Sequence, residues 1–187
     1  MNAILNFLIS MAPFMSATLI LYGGGRFWFL TRKKRKFSPL KEIGLLLFVM
    51  FLSGLLSQAI LPRFILQNGT FVPATGGVHT TNFIPFRVFG YTFSELFLHR
   101  NFTPFLINFL GNILLFCPIG FCLPLFWGFS EKQTLLLGFS LSLFIEICQL
   151  FQPRSSDVDD LILNTLGVFL GLLLFKALRN SPNFHKL

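Results

Sequence analysis

The side chains best suited to chemistry crowd into one charged stretch, QPRSSDVDDLILNTLG, at residues 152–167. A buried carboxylate can act as a general acid or base, and an arginine can hold a phosphate through two hydrogen bonds. The stretch separates two strongly apolar segments, so its charges must lie close to a membrane or inside it. Its charged residues are Arg154, Asp157, Asp159 and Asp160, and Asn164 follows one helical turn later.

Part of this charge has a purely structural explanation. Carboxylates in the first turn of a helix accept hydrogen bonds from free backbone N–H groups and complement the helix dipole. Ser156 and Asp159 have the spacing of a capping box, with Asp in the place of the usual Glu. Capping requires one or two of these residues, so we expect Asp160 and Asn164 to have a further role.

Two other apolar segments also contain polar side chains. Glu146 and Gln149 share a helical face with Ser142, and a carboxylate in an apolar span is costly unless it is paired or near water. Asn108 and Asn112 are spaced i, i+4, and an amide buried in hydrocarbon must find a partner. The alternatives are that Glu146 reaches headgroup water and that the asparagines simply join neighbouring helices.

The composition places the chain in a membrane. Of its 187 residues 53% are hydrophobic and only 12% are charged, whereas soluble domains carry about 25% charge. The net charge of +8 does not indicate a nucleic-acid partner, because seven of the 15 basic residues lie in one short connection between Arg26 and Lys41. The three cysteines match no metal-ligand or redox spacing, and we expect no metal and no cofactor.

Five apolar windows approach the length of about 20 residues that a helix needs to cross the hydrocarbon core. Cytoplasmic loops are enriched in Lys and Arg, so the basic connection 23–42 is predicted to be cytoplasmic. Alternation then places the N-terminus outside and the C-terminus inside. The predicted fold is an all-α, polytopic integral membrane bundle of about five transmembrane helices. The windows are 3–22, 43–61, 105–127, 134–151 and 161–178.

This topology divides the chain into five segments and brings the unusual polar residues to the outer side. The stretch HTTNFIPF, which contains Asn82, is then placed to fold over them as a lid. The segments are a first helix with its basic cytoplasmic loop (1–42), a second helix (43–61), an extracytoplasmic or interfacial loop (62–104), a three-helix core (105–178) and a cytoplasmic tail (179–187).

Four motifs in this order resemble the VanZ-like family. The family pattern runs N-[LF]-x-P-F, N-x-x-x-N-[IV]-x-x-F-x-P-x-G, E-[IL]-x-Q and R-x-x-D-x-x-D-x-x-x-N-x-x-G. The first motif matches NFIPF at 82–86 and the second matches NFLGNILLFCPIGF at 108–121. The third and fourth motifs both lie within IEICQLFQPRSSDVDDLILNTLG at 145–167.

The resemblance implies a multi-pass protein of the bacterial plasma membrane that lowers susceptibility to teicoplanin-type and lipoglycopeptide antibiotics. Its ligand would be a membrane lipid or lipid-linked cell-wall component, with the antibiotic affected indirectly and no nucleic acid involved. Whether the outward-facing site modifies the ligand, binds or shields it, or belongs to a small transporter or flippase stays open, as does the oligomeric state. The catalytic candidates are Glu146, Asp157 and Asp160, and the substrate-binding candidates are Asn82, Asn108, Asn112, Gln149, Arg154 and Asn164.

Overall fold

The chain folds into two compact units. The computed structural model describes residues 2–33, 38–60, 64–67, 70–73, 81–152 and 155–180. Unit 1 comprises Met1–Gly77 with Leu187, and unit 2 comprises Val78–Lys186.

Unit 1 is a helical hairpin followed by a small β-hairpin. Its first helical stretch continues through a π-helical turn, and its two short strands pair antiparallel. Its elements are α1 (Asn2–Thr18), the π-helical turn Leu19–Gly23, α2 (Gly24–Lys33), α3 (Pro39–Ile60), β1 (Phe64–Gln67) and β2 (Thr70–Pro73).

Polar pairs join α1 to α3 within an otherwise apolar contact. The Ser10 hydroxyl donates to the Gln58 side chain at 2.9 Å, and the Thr18 hydroxyl donates to the Ser53 hydroxyl at 2.7 Å. Hydroxyl and amide groups that meet within an apolar helix contact satisfy each other's hydrogen bonds. These bonds fix the two helices against each other at two depths.

Unit 2 is a bundle of three long helices with a short helix attached. Two-residue strands β3 and β4 pair in parallel, with Thr81 opposite Ser156 and Asn82 opposite Asp157. Its elements are β3 (Thr81–Asn82), α4 (Arg87–Leu98), the π-helical segment Phe105–Leu110, α5 (Gly111–Trp127), α6 (Glu131–Leu150), β4 (Ser156–Asp157) and α7 (Val158–Arg179).

Glycines bring α5 and α7 into direct backbone contact. A Cβ on Gly120 would overlap the carbonyl of Val168, one on Gly167 the carbonyl of Ile113, and one on Gly171 that of Cys117. Ile113 lies at Gly167 and Cys117 lies at Gly171, so the contact advances by four residues in the same direction on each helix and the two helices run parallel. Close approach at small residues is how helices associate in lipid, where dispersion forces replace the hydrophobic effect.

Helix α6 runs antiparallel to α7. Val168 packs where Gly138 lacks a side chain, and one turn along Asn164 reaches Ser142. At the opposite end of the bundle from β4, the Lys176 ammonium pairs with the Glu131 carboxylate at 2.6 Å. Helices α5 and α7 therefore begin at the end where α6 finishes.

The predicted all-α polytopic bundle is confirmed. Four helical segments in the described part of the chain are long and apolar enough to cross a membrane. The first window, 3–22, is occupied by α1 and the π-helical turn, and its crossing stays a prediction, as does the total number of crossings. The four segments are Pro39–Ile60, Phe105–Trp127, Glu131–Leu150 and Val158–Arg179.

The segment 62–104, predicted as a loop, contains short strands and a helix. Besides its strands it holds α4, which at 12 residues is too short to span a bilayer,. Phe89 and Phe93 of α4 pack against Phe109, with ring centroids 5.1 and 5.8 Å apart. This aromatic contact attaches α4 to the start of the third window, and the interfacial position of the segment stays a prediction.

The α5–α7 contact predicts a large effect of Gly171→Ala. The added methyl group meets the Cys117 carbonyl, which belongs to the backbone and cannot rotate away. We expect overpacking to cost about 1–3 kcal/mol, more than the helix propensity gained on replacing glycine, about 0.5–1 kcal/mol. Thermal unfolding of the purified protein in detergent measures the loss.

The matched control is Gly90→Ala in α4, where an added Cβ has no heavy atom within 4 Å. That variant should melt at or above the wild-type temperature. Equal melting temperatures for Gly171→Ala and Gly90→Ala would contradict the packing described for α5 and α7.

Candidate functional site

The connection between α6 and α7 gathers most of the polar residues singled out in the sequence. Helix α6 ends at Leu150, α7 begins at Val158, and β4 lies between them beside β3. Because α5 and α7 begin at the same end, their first polar residues also reach this place. We call this the polar cluster, comprising Asn82, Asn112, Ser142, Glu146, Ser156, Asp157, Asp159, Asp160 and Asn164.

Glu146 holds the connection in place. Its Oε2 accepts a hydrogen bond from the Ser156 hydroxyl at 2.9 Å and another from the Asp157 backbone N–H at 3.0 Å. Only 7% of Glu146 is exposed, and a buried carboxylate is tolerated when such donors meet it. A chain that would otherwise leave α6 at an arbitrary angle is therefore turned back toward α7.

Asp157 is the N-cap of α7 and also binds the neighbouring strand. Its Oδ1 accepts from the Asp159 backbone N–H at 2.9 Å and from the Asn82 amide at 3.0 Å. Burial raises the pKa of Asp157 above its ordinary value, while these hydrogen bonds and the charge of Arg87 oppose the increase. The capping-box interpretation of Ser156 and Asp159 is wrong, because the Ser156 hydroxyl is turned to Glu146 instead.

Asp159 caps a second helix, α4, rather than its own. Its two oxygens accept from the backbone N–H groups of Phe86 at 2.5 Å and Val88 at 2.7 Å. Phe86 adopts a left-handed backbone conformation, φ 66°, which is costly for a residue with a side chain,. The fully buried carboxylate stabilises that turn and the positive end of the α4 dipole,.

Asp160 and Asn164 face the neighbouring long helices, one turn apart on α7. The Asn112 amide donates to Asp160 Oδ1 at 2.6 Å, joining α5 to α7. The Asn164 amide donates to the Ser142 hydroxyl at 3.0 Å, joining α7 to α6. Asp160 and Asn164, which we predicted to do more than cap α7, therefore connect all three long helices of the bundle.

Two acceptors in this layer are not used by the fold. Within the described residues, Asp160 accepts hydrogen bonds only at Oδ1, leaving Oδ2 unengaged. The Oδ1 of Asn164 is buried without a donor in the same part of the chain. An unmet buried carbonyl oxygen is unfavourable by about 1–3 kcal/mol, so these two oxygens are able to accept a hydrogen bond from a group outside the described residues.

Three predicted site residues are not joined to the cluster by the described contacts. Asn108 is exposed and Gln149 is half-buried, and neither side chain makes a hydrogen bond within the residues that the structure covers. Asn108 belongs to the π-helical segment, whose i→i+5 bonds break the α-helical spacing used in the prediction,. Arg154 lies outside the described residues.

Sequence analysis missed three contributors to the cluster. Asp159 was assigned only a cap within its own helix, and no local signal identifies the distant N–H groups it binds. Ser142 carries the one usable signal, since it shares a helical face with Glu146 one turn away. Ser156 has a partner ten residues back in sequence, which a single serine does not indicate.

The cluster has an acceptor-rich composition. Across the described ranges, no group of three His, Cys, Asp or Glu side chains is arranged to hold a metal ion. Asp157, Asp159 and Asp160 form no ion pair with the described cations, although Arg87 acts on Asp157 from a distance. Such a surface suits hydroxyl or ammonium groups, which donate hydrogen bonds, better than an unaccompanied phosphate.

Asp159→Asn is expected to release the start of α4. One carboxylate oxygen becomes an NH₂ group that faces a backbone N–H, so one of the two capping bonds is lost. Loss of a cap costs about 1 kcal/mol, which should speed amide hydrogen exchange at Phe86 and Val88 roughly fivefold. Exchange mass spectrometry on the full chain measures this.

Asp160→Asn is the matched control, since it changes the adjacent carboxylate and leaves both capping bonds in place. Faster exchange of α4 in both variants, or in neither, would contradict a specific role of Asp159.

Comparison with known proteins places this arrangement in a family. The VanZ/LLP1 family model matches residues 43–179, which include most of α3 and all the long helices of unit 2. Protein VanZ of Enterococcus faecium is 38% identical over 96 residues, covering 46% of this chain. The match spans 58% of the length of that relative, a little more than half. No solved structure matches this chain.

The matched range contains every residue of the polar cluster and the glycines that bring α5 and α7 together. On this match, the chain is a membrane protein that belongs to the VanZ/LLP1 family.

Proposed function

We propose that this chain lowers the susceptibility of a bacterial cell to teicoplanin-type and lipoglycopeptide antibiotics by binding a lipid-linked component of the cell envelope. The observation that carries the proposal is the layer at Asp160 and Asn164, where two acceptor oxygens have no donor among the described residues. The antibiotic phenotype is what the family resemblance implies. The protein would act in the plasma membrane and affect the antibiotic indirectly, through its target surface.

The site is proposed to face outward. Lys132, Lys176 and Arg179 lie at the opposite end of the unit 2 bundle, as the pairing of Lys176 with Glu131 indicates. Basic residues are retained on the cytoplasmic side of a membrane. The polar cluster at the other end would then be reached from the side where cell-wall precursors and glycopeptides meet.

Binding is favoured over catalysis because the fold occupies most of the carboxylates. Glu146 orders the connection before α7, Asp157 caps α7, and Asp159 caps α4. A general acid or base must be able to exchange its proton with the substrate. Glu146 and Asp157, expected to be catalytic, therefore support the site in this proposal.

The proposed ligand presents hydroxyl or ammonium groups to Asp160 and Asn164. Sugar hydroxyls of a lipid-linked wall precursor and the amines of aminated headgroups are both donors of this kind. Asn112 is already committed to Asp160, so it would orient the carboxylate toward the ligand.

An enzymatic alternative is favoured by Asp160 alone. This carboxyl group is half-buried beside apolar helices and keeps one oxygen without a protein donor within the described residues. In that alternative Asp160 exchanges a proton with the ligand while Asn112 and Asn164 position it. Transport is a weaker candidate, since no described contact indicates a pathway through the bundle.

Orientation is tested by cysteine labelling of intact cells. After replacement of the native Cys117, Cys122 and Cys148, a single cysteine is introduced at the exposed Ser155 or at the exposed Lys132. We expect a membrane-impermeant maleimide to label Ser155→Cys in whole cells and Lys132→Cys only after lysis. The reverse pattern would place the polar cluster inside and overturn the proposal.

The role of Asp160 is tested by Asp160→Asn in a sensitive Gram-positive host. Asn keeps the acceptor that Asn112 uses but replaces the second oxygen by a donor, so a donating ligand is repelled. We expect surface binding of a fluorescent lipoglycopeptide to return to the level of cells without the protein. The matched control is Glu131→Gln, which removes an exposed carboxylate at the far end of α6.

Lipid analysis of the same strains separates binding from chemistry. Under the binding proposal, a lipid-linked component co-purifies with wild type and not with Asp160→Asn, while lipid composition stays the same. A covalently altered lipid that appears only with wild type would favour the enzymatic alternative. Full protection by Asp160→Asn at equal membrane abundance would exclude both.

A further inference from the structure

Unit 1 carries a positively charged surface that the family match does not cover. Residues 1–42 precede the matched range 43–179, so family membership explains nothing about them. Arg32 and Lys33 at the end of α2 and Lys41 in the first turn of α3 are exposed. Within the described residues these three cations form no ion pair.

A fourth cation of unit 1, Arg26, differs from these three because it forms an ion pair within the fold. Its Nε and Nη2 donate to the two oxygens of Glu42 at 2.8 and 3.1 Å, a bidentate pair that ties α2 to the beginning of α3. Glu42 is the only acidic residue between 1 and 42. The charge of Arg26 is therefore neutralised by the fold, and that of Arg32, Lys33 and Lys41 is not.

Exposed aromatic side chains indicate that this surface lies at the headgroup level of a bilayer. Trp28 and Phe27 are 59% and 68% exposed, and tryptophan prefers the headgroup level of a bilayer,. The Arg32 guanidinium lies over the Trp28 ring, 5.0 Å from its centroid. This cation–π contact holds the charge of Arg32 at the level of the ring rather than out in water.

We propose that Arg32, Lys33 and Lys41, together with Trp28, bind the headgroups of anionic phospholipids, with phosphatidylglycerol as the probe. A guanidinium matches a phosphate with two hydrogen bonds, and the lysines add charge without demanding a fixed geometry. An RNA or an acidic protein could neutralise the cations, and an RNA base could stack on Trp28. Neither partner explains both these cations and an exposed Phe27 next to the apolar span α3. A membrane surface accounts for both, because it offers phosphates and apolar depth within one headgroup layer.

This inference is independent of the function proposed for unit 2. It concerns other residues, and the lipid it names is an abundant membrane constituent rather than a lipid-linked wall component. Loss of this patch should therefore leave the effect of Asp160 on antibiotic binding in place.

The test titrates the purified full chain in detergent with phosphatidylglycerol or phosphatidylcholine and measures bound lipid by native mass spectrometry. Wild type should prefer phosphatidylglycerol. Each cation near an anionic surface contributes roughly fivefold in affinity, so Arg32→Gln combined with Lys41→Gln should lower phosphatidylglycerol affinity at least roughly tenfold. Phosphatidylcholine binding should stay unchanged.

The control double variant is Lys132→Gln with Arg179→Gln, two exposed cations of unit 2 that likewise form no described ion pair. We expect it to bind phosphatidylglycerol as wild type does, with both double variants melting within a few degrees of wild type. An equal loss in the two double variants would overturn the proposal in favour of a general charge effect. Displacement of the lipid by an RNA oligomer or polyglutamate at equal concentration would overturn it in favour of a soluble partner.

Discussion

The structure of unit 2 depends on one constraint, which is that a carboxylate near hydrocarbon must find hydrogen-bond donors within the protein. Four carboxylates lie where α6 ends and α7 begins, and all four accept hydrogen bonds. The donors come from three places: backbone N–H groups, a serine hydroxyl and two asparagine amides. Because those donors belong to different elements, meeting the carboxylates also fixes β3, α4 and α5 in position.

Glycine packing makes this arrangement possible. Asparagine is a short side chain, so Asn112 can reach Asp160 only if α5 and α7 lie very close together. Gly120, Gly167 and Gly171 provide that proximity because no side chain at these positions separates the two backbones. The glycine contact and the Asn112–Asp160 hydrogen bond therefore depend on each other. If α5 and α7 lay farther apart, the amide and the carboxylate would each lose this hydrogen-bond partner.

Sequence patterns that repeat with the helical period predicted the long helices and their polar faces. Contacts between a side chain and backbone groups far away in sequence were missed. Apolar windows and helical spacing identified the long helices and brought Glu146, Asp160 and Asn164 together. The cap made by Asp159 escaped prediction because its donors, Phe86 and Val88, lie more than 70 residues away and backbone N–H groups leave no sequence signal. Asn108 was placed on the same helical face as Asn112 by an α-helical count, which the π-helical segment interrupts.

The groups that the fold leaves unused are the best guide to what each unit binds. In unit 2 Asp157 and Asp159 cap helices and Glu146 orders the connection, whereas Asp160 accepts one described hydrogen bond and caps no helix. In unit 1 Arg26 is neutralised by Glu42 while Arg32 keeps its charge over Trp28. One unit thus retains acceptors and the other retains cations, so the two would recognise opposite chemistry. Donor-rich envelope components are the ligands that we propose for unit 2, and anionic lipid headgroups are those that we propose for unit 1.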